Sequence, residues 1–350
     1  MAFLDIKNVS VVGISACVPS DILKTEDIYK WEGCETFIET TGIRQKRCAP
    51  SDVCSSDLCV KAAECLIEEM GWQRDEVDAV VFVSQTSDYI LPSTAPIIQH
   101  RLGLNTNCFT LDISLGCSGW VYGLSVLASL MQNGTLKKGL LLAGDTPLKL
   151  CSLEDKSTYP IFGDAGTVTA LQYSEGASGM KFVMHSDGEG FQDIIVPDGG
   201  GRNRFSSNSL VVEDKGEGIR RCRTNVEMDG MSVFSFGISK VPKIVKELLE
   251  YYQIDKDEVN LYGFHQANLM MNEKIRKKLK LSEEQVPYCI SEYGNTSCAS
   301  IPLALVSKCR DRLSAEHLKH LDCGFGVGLS WGAVYYETDK IVCPEVIEYE

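Results

Sequence analysis

Apolar positions along this chain follow two alternating patterns: short β-branched runs, and longer stretches with apolar residues at helical intervals. In the first half, Val9–Val18 reads as a strand and is followed by a polar region to Pro50. Asp57–Met70 has helical periodicity, Val77–Gln85 reads as a buried strand, and Pro92–Leu102 as a helix. Cys108–Ile113, Lys138–Gly144, Gly166–Tyr173 and Lys181–Ser186 read as further strands. One stretch differs from all of these. From Ile113 to Asn133 there is no Asp, Glu, Lys or Arg, and Trp120–Met131 is apolar or small nearly all round. A helix apolar on every face belongs in the middle of a domain. Its continuously apolar part is too short for a bilayer, and Ser114, Ser118, Gly119, Gly123, Ser125 and Ser129 dilute it.

The second half repeats this grammar. Ser232–Tyr252, Leu269–Leu279 and Ser300–Leu313 are expected helices, Asn260–His265 a strand, Leu321–Val327 a strand-like end and Ala333–Glu337 a closing strand. Asp187–Met228 is irregular and polar, with a turn-rich segment at Asp198–Arg204. Strand–helix alternation of this kind predicts α/β layers with helices covering sheets. Two halves of similar length, 1–178 and 179–350, suit a duplicated fold.

Composition narrows the possibilities. A chain of 350 residues with 44% hydrophobic and 23% charged residues is a globular protein, long for a single core. A net charge of −14 and a pI near 4.9 argue against nucleic acid as a partner, which would need a basic surface. The 15 cysteines include no Cys-x-x-Cys pair, which fits neither a disulfide framework nor a metal site. Reduced thiols in a cytoplasmic protein are the simpler expectation. Met1–Ser20 lacks the pattern of a secretory signal.

Four places carry candidate chemistry. Cys117, in Gly116-Cys117-Ser118-Gly119, is expected as the first residue of the buried helix. There a helix N-terminus would favour a thiolate, although free cysteine is also a common packing residue. His265-Gln266-Ala267-Asn268 lies between an expected strand and helix, where open α/β sheets place their sites. Of the five histidines, His100, His317 and His320 sit among charges and read as exposed, His185 closes a strand, and His265 is the functional candidate. Gly294-Asn295-Thr296-Ser297 precedes the Ser300 helix, where Asn295 could also serve simply as a turn or capping residue. The run Gly324-Phe325-Gly326-Val327-Gly328 implies close backbone approach, of the kind that can aim a donor N–H at a reacting oxygen.

Taken together, Gly-Cys-Ser-Gly, His-Gln-Ala-Asn, Gly-Asn-Thr-Ser and the glycine run before Trp331 resemble 3-oxoacyl-ACP synthase III of the thiolase superfamily. Thr41-Gly42-Ile43-Arg44, Leu91-Pro92-Ser93 and Phe162-Gly163-Asp164-Ala165-Gly166 match further landmarks, in family order from about residue 8 to 337. The resemblance implies a thiolase-like duplicated α-β-α-β-α fold and a decarboxylative condensation of an acyl primer with malonyl-ACP, without a cofactor or metal. By this likeness Cys117 carries the acyl group, and His265 and Asn295 bind the malonyl thioester oxygen. The backbone N–H groups of Cys117 and Val327 then hold the tetrahedral oxyanion, and Asn268 helps place pantetheine. Val327 stands where the family commonly has glycine.

The resemblance also implies an acyl carrier protein docked on Lys277 and Lys278, within a basic group with Lys274, Arg276 and Lys280. It further implies a homodimer in which Leu91 enters the partner's acyl pocket, with neither membrane nor nucleic acid involved. Thr36 and Thr40 replace the aromatic and arginine that sandwich the coenzyme A adenine in the well-studied branch, and Lys156 replaces a further coenzyme A arginine. A carrier-bound or otherwise unusual primer is therefore expected over acyl-CoA. Alternatives are an acyltransferase or non-decarboxylating condensing enzyme of the same superfamily, and a non-catalytic carrier-binding scaffold. A papain-like thiol hydrolase lacks its own flanking signature here.

Overall fold

The protein's structure, a computed structural model, describes residues 2–350. Two sheets form its frame. In the larger, the strands lie in the order Ile347–Tyr349, Val9–Pro19, Ala165–Tyr173, Lys138–Asp145, Ala79–Val83, Phe109–Ile113. The last three run parallel, and Ala165–Tyr173 is antiparallel to both of its neighbours. The smaller sheet is antiparallel throughout, in the order Ala2–Ile6, Met180–Ser186, Ser330–Asp339, His317–Gly326.

The continuous apolar runs are explained by burial on both faces. Ala79, Val81 and Val83 face one core, while Val80 and Phe82 face another. Between the sheets lie two helices, Gly119–Met131 and Ser300–Ala315, sharing one core. Ser55–Glu69 and Thr94–Arg101 cover the outside of the larger sheet, and Gly230–Tyr252 and Leu269–Leu279 the outside of the smaller. The result is the five-layered α-β-α-β-α arrangement of the thiolase-like fold. The charge-free helix lies so close to its strands that a Cβ on Gly123 would come within 2.6 Å of Leu141 and 2.8 Å of Val83. Among the described residues, no helix is long and apolar enough to cross a membrane.

Three local expectations are corrected. The helix begins at Gly119, so Cys117 lies in the turn before it and not on its first residue. Residues 260–265 run parallel beside His317–Gly326 and touch it through isolated bridges at Leu261–His320 and Phe264–Cys323, without forming a continuous strand. Side chains take over part of the ladder there: Asp322 accepts the Gly263 N–H at 2.8 Å, and Asn260 accepts the Lys319 N–H at 2.8 Å. His320, expected on the surface, is fully buried. It sits on a strand, stacked on Tyr336 at 4.6 Å with Nε2 against Thr338 Oγ1 at 2.8 Å. Burial pushes its pKa down to about 3.

Candidate active site

The strand Phe109–Ile113 ends in a tight turn, closed by the Gly119 N–H on the Gly116 carbonyl at 2.6 Å, and this turn presents Cys117. Gly116 has no room for a side chain: a Cβ would lie 2.5 Å from Gln85 Oε1 and 2.8 Å from Val327 Cγ1. The glycine run packs against the same turn. A Cβ on Gly324 would meet the Ser118 backbone at 2.9 Å, and one on Gly326 would lie 2.6 Å from Cys117 Cβ and 2.8 Å from its sulfur. The strand end can thus reach the thiol only because these residues lack side chains. The Val327 backbone lies beside the Cys117 thiol and pulls its pKa down, as a main-chain donor near the sulfur does.

His265 sits at the end of the 260–265 run, its backbone N–H held by the Cys323 carbonyl at 3.0 Å. Its Nδ1 lies 2.7 Å from Ser300 Oγ, and Phe325 stands edge-on to the ring at 5.4 Å. Asn295 is pinned through its backbone: its N–H bonds to Ile161 O at 2.9 Å, and its carbonyl accepts the Gly163 N–H at 3.1 Å. Its side-chain Oδ1 accepts the Ser297 N–H at 3.0 Å, which leaves the amide N–H₂ as the free end.

Cys117, His265 and Asn295, brought from three distant segments, line one cavity of ≈ 160 Å³. Val327 and Asn268 line it as well. Asn268 has a second task, since its Oδ1 caps the Leu269–Leu279 helix by accepting the Met271 N–H at 2.8 Å. Asp145 is the carboxylate of the lining among the described residues. Its Oδ1 serves structure, accepting from Ser84 Oγ, the Gln85 and Thr86 backbones and Thr86 Oγ1 at 2.8 to 3.1 Å, while its buried Oδ2 has no hydrogen-bond partner among the described residues.

The electrostatics overturn one expectation. Burial pushes the Cys117 thiol up to about 11, and nearby Asp145 pushes in the same direction. Hydrogen bonds from the Val327 and Cys117 backbones and the Ser297 side chain offset this only in part. Cys117 therefore rests as a neutral thiol, not as a thiolate held by a helix end. Burial likewise pushes His265 down to about 3, so its imidazole is neutral. The cavity therefore combines a neutral thiol with uncharged N–H donors, an arrangement suited to a negative charge that appears only during reaction.

Other sequence candidates lie elsewhere. Leu91 is exposed and is not among the residues lining the cavity of its own chain. Lys156 is not in the lining either. A hairpin pairing Glu213–Asp214 with Arg220–Arg221 lies over it: the Lys156 N–H bonds to Gly218 O at 3.1 Å, and its Nζ lies 3.8 Å from Glu217. Lys277 is exposed, 3.5 Å from Glu273. Lys278 reaches the Ile238 carbonyl at 3.2 Å, on a surface-exposed path. Arg276 drops out of the basic group: it is buried and bound to Glu273 at 2.7 Å, Glu283 at 3.3 Å and Leu281 O at 2.9 Å. Sequence reading missed Gln85, Ser297, Ser300 and Phe325. Phe325 lay inside the glycine run and Ser300 at an expected helix start, but nothing local tied either to His265.

Comparison with known proteins gives a consistent picture. Two family models match: 3-oxoacyl-[acyl-carrier-protein] synthase III over residues 111–188, and the C-terminal part of the same enzyme over 249–338. A β-ketoacyl-[acyl-carrier-protein] synthase III of Streptococcus agalactiae is 31% identical over 322 residues, covering 90% of this chain and 95% of the relative. The crystal structure of a 3-oxoacyl-(acyl-carrier protein) synthase from Burkholderia xenovorans superposes with a TM-score of 0.92 at 38% identity, covering 99% of both chains. A priming β-ketosynthase of a polyketide pathway superposes with a TM-score of 0.79 at 26% identity, covering 97% of this chain and 98% of its own.

Proposed function

The chain belongs to the 3-oxoacyl-[acyl-carrier-protein] synthase III family, and from this premise we propose that it condenses an acyl primer with malonyl-ACP to give 3-oxoacyl-ACP and CO₂. The observation that carries the reading is the single cavity lined by Cys117, His265 and Asn295, with the Val327 backbone at the sulfur. In the first half-reaction the Cys117 sulfur attacks the primer thioester, and its proton departs with the released carrier thiol. In the second, the malonyl carboxylate leaves as CO₂ and its bonding electrons pass to the thioester oxygen as an enolate. The His265 imidazole N–H and the Asn295 amide N–H bind that oxygen. Such donors gain strength in a dry site and need no reorganisation as charge develops. The enolate carbon then attacks acyl-Cys117, the Cys117 and Val327 backbone N–H groups hold the tetrahedral oxyanion, and collapse returns the thiolate, which takes a proton. Asn268 and the walls around Val233 and Met271 guide the pantetheine arm. Mass spectrometry after exposure to an acyl thioester, followed by CO₂ release from a malonyl thioester, tests the sequence of steps. An enzyme that acylates Cys117 without releasing CO₂ would be a transferase instead.

For the primer, a carrier-bound acyl group is favoured over acyl-CoA. Gly218 of the hairpin packs against Trp31, with a Cβ there only 2.6 Å from the indole and 3.2 Å from Lys156 Cδ. Arg220–Glu154 at 2.9 Å and Arg221–Asp155 at 2.8 Å fasten the hairpin down. It fills the space beside Lys156 and brings Glu217 to the one cation expected to meet a phosphate. Direct competition between acyl-CoA and acyl-carrier primers decides the matter, and a clear preference for acyl-CoA contradicts it.

The acidic carrier is assigned to the exposed face bearing Lys274, Lys277 and Lys278. A homodimer fits the free edge of Phe109–Ile113, with Phe109 and Leu111 exposed, and the exposed Tyr89-Ile90-Leu91 segment nearby in sequence. Light scattering of the purified protein checks it. The fifteen cysteines are all free, which suits the reducing cytoplasm as the working compartment.

A further inference from the structure

His265 is a hydrogen-bond donor to the enolate only if its proton sits on the nitrogen facing the cavity, and a neutral imidazole has one proton to place. Nothing in the reaction itself fixes that choice. The structure assigns it to Ser300: we propose that the Ser300 hydroxyl donates to Nδ1 and thereby keeps the proton on Nε2, making Ser300 a positioning residue for the decarboxylation step. This rests on the reading of the site given above and adds a residue to it.

The geometry is specific. Ser300 is fully buried at the first residue of the Ser300–Ala315 helix, with Oγ 2.7 Å from His265 Nδ1. The same oxygen lies 3.4 Å from the Gln266 N–H, which can only donate. The Gln266 N–H takes one lone pair of Oγ, and among the described residues the hydroxyl has no acceptor other than Nδ1, so a buried O–H is satisfied only by donating to Nδ1. Nδ1 is then the acceptor nitrogen and Nε2 carries hydrogen. Phe325 packs edge-on against the ring at 5.4 Å, and the Asn272 amide at 3.1 Å holds the His265 carbonyl. Gln266 is locked as well, by Nε2 on Phe264 O at 2.7 Å and Oε1 on the Cys289 N–H at 3.2 Å, so the donor that orients Ser300 does not move. Burial keeps the ring neutral, so the tautomer is the remaining variable.

The two half-reactions separate this role from a merely structural one. Acylation of Cys117 does not use the enolate donors, whereas decarboxylation does. In the full-length enzyme, Ser300→Ala is expected to load an acyl group onto Cys117 at close to the normal rate and to release CO₂ from malonyl thioester about 10- to 100-fold more slowly, less than the loss of a whole donor. Ser300→Thr keeps the hydroxyl and should recover most of that rate. Nitrogen-15 NMR of labelled histidine should report a protonated Nε2 for the resonance that disappears in His265→Ala, and a mixed tautomer in Ser300→Ala. Equal slowing of both half-reactions, unchanged CO₂ release, or a protonated Nδ1 in the unmodified enzyme would overturn the assignment. Should Ser300→Ala fail to fold, Ser300→Thr and the NMR of the unmodified enzyme decide it alone. A wild-type enzyme that releases no CO₂ would instead sink the functional reading, so the two failures are distinct.

Discussion

Replacing Asn295 by Asp removes one donor while leaving nearly everything else in place. The carboxylate can keep accepting the Ser297 N–H that now holds Oδ1 at 3.0 Å, and the backbone bonds to Ile161 and Gly163 are untouched. What changes is the free end, which turns from N–H₂ to oxygen. Loss of one donor to a developing oxyanion costs about 10²–10³ in rate. If the new carboxyl is ionised, it faces the enolate at roughly 4 Å. At an effective dielectric of about 20 that repulsion is about 4 kcal/mol, or roughly three further decades. Asn295 is buried, so desolvation raises the pKa of an aspartate there and the neutral acid, itself a donor, regains population as pH falls. The expectation is therefore a loss of between about 10² and 10⁶ in CO₂ release, shrinking as pH is lowered, with acyl loading of Cys117 within a few-fold of normal. Single-turnover measurements on pre-acylated enzyme, with CO₂ trapped across a pH series, read both quantities. The reasoning fails if Asn295→Asp decarboxylates within tenfold of the unmodified enzyme, or if acyl loading falls as far as CO₂ release.

Other outcomes follow from the same geometry. Gly326→Ala places a methyl 2.8 Å from the Cys117 sulfur and should cut acyl loading by more than about 10²-fold, as followed by mass spectrometry; a loaded, active variant would mean the strand end is not against the thiol. A thiol raised to about 11 is neutral at working pH, so alkylation of Cys117 by iodoacetamide should rise about tenfold per pH unit from 6 to 9.5 without levelling, and a plateau below pH 8 would contradict the burial argument. Charge reversal of Lys277 and Lys278 to Glu should raise KM for malonyl-carrier several-fold at low salt with kcat retained, and an unchanged KM removes that docking face. His320→Gln removes a ring whose folded pKa, about 3, lies below the unfolded value of about 6.5. The unfolded chain binds the extra proton first, so the ring costs stability as pH falls below about 6.5, by about 2 kcal/mol at pH 5. Denaturant titrations should show the variant losing less stability than the parent between pH 7 and 5.

Local patterns carried much of this protein. Apolar spacing marked the long strands and the six long helices but not the edge strands Ala2–Ile6 and Ile347–Tyr349 or the helix Cys34–Thr41, and the charge-free stretch after Ile113 identified the central helix, because burial on all sides leaves no place for charge. The glycines at 324, 326 and 328 announced a close approach, and Cys117, His265 and Asn295 could each be picked out at the end of an element. Element ends were less legible: Cys117 fell two residues short of its helix, and the 260–265 run gave up a ladder bond at Gly263 to Asp322, a partner the run itself does not reveal. What the chain pattern could not decide is which groups meet and how much water they keep. His320 and Arg276 look like surface charge in sequence, yet a stacked Tyr336 encloses one and Glu273 with Leu281 O turns the other inward. Whether Cys117 is a thiol or a thiolate, which imidazole nitrogen holds hydrogen, and what covers Lys156 are likewise set by segments far apart along the chain. Spacing fixes which way a residue faces, but an ionisable group's charge depends on the solvent and dipoles around it, and only packing of the distant layers supplies those.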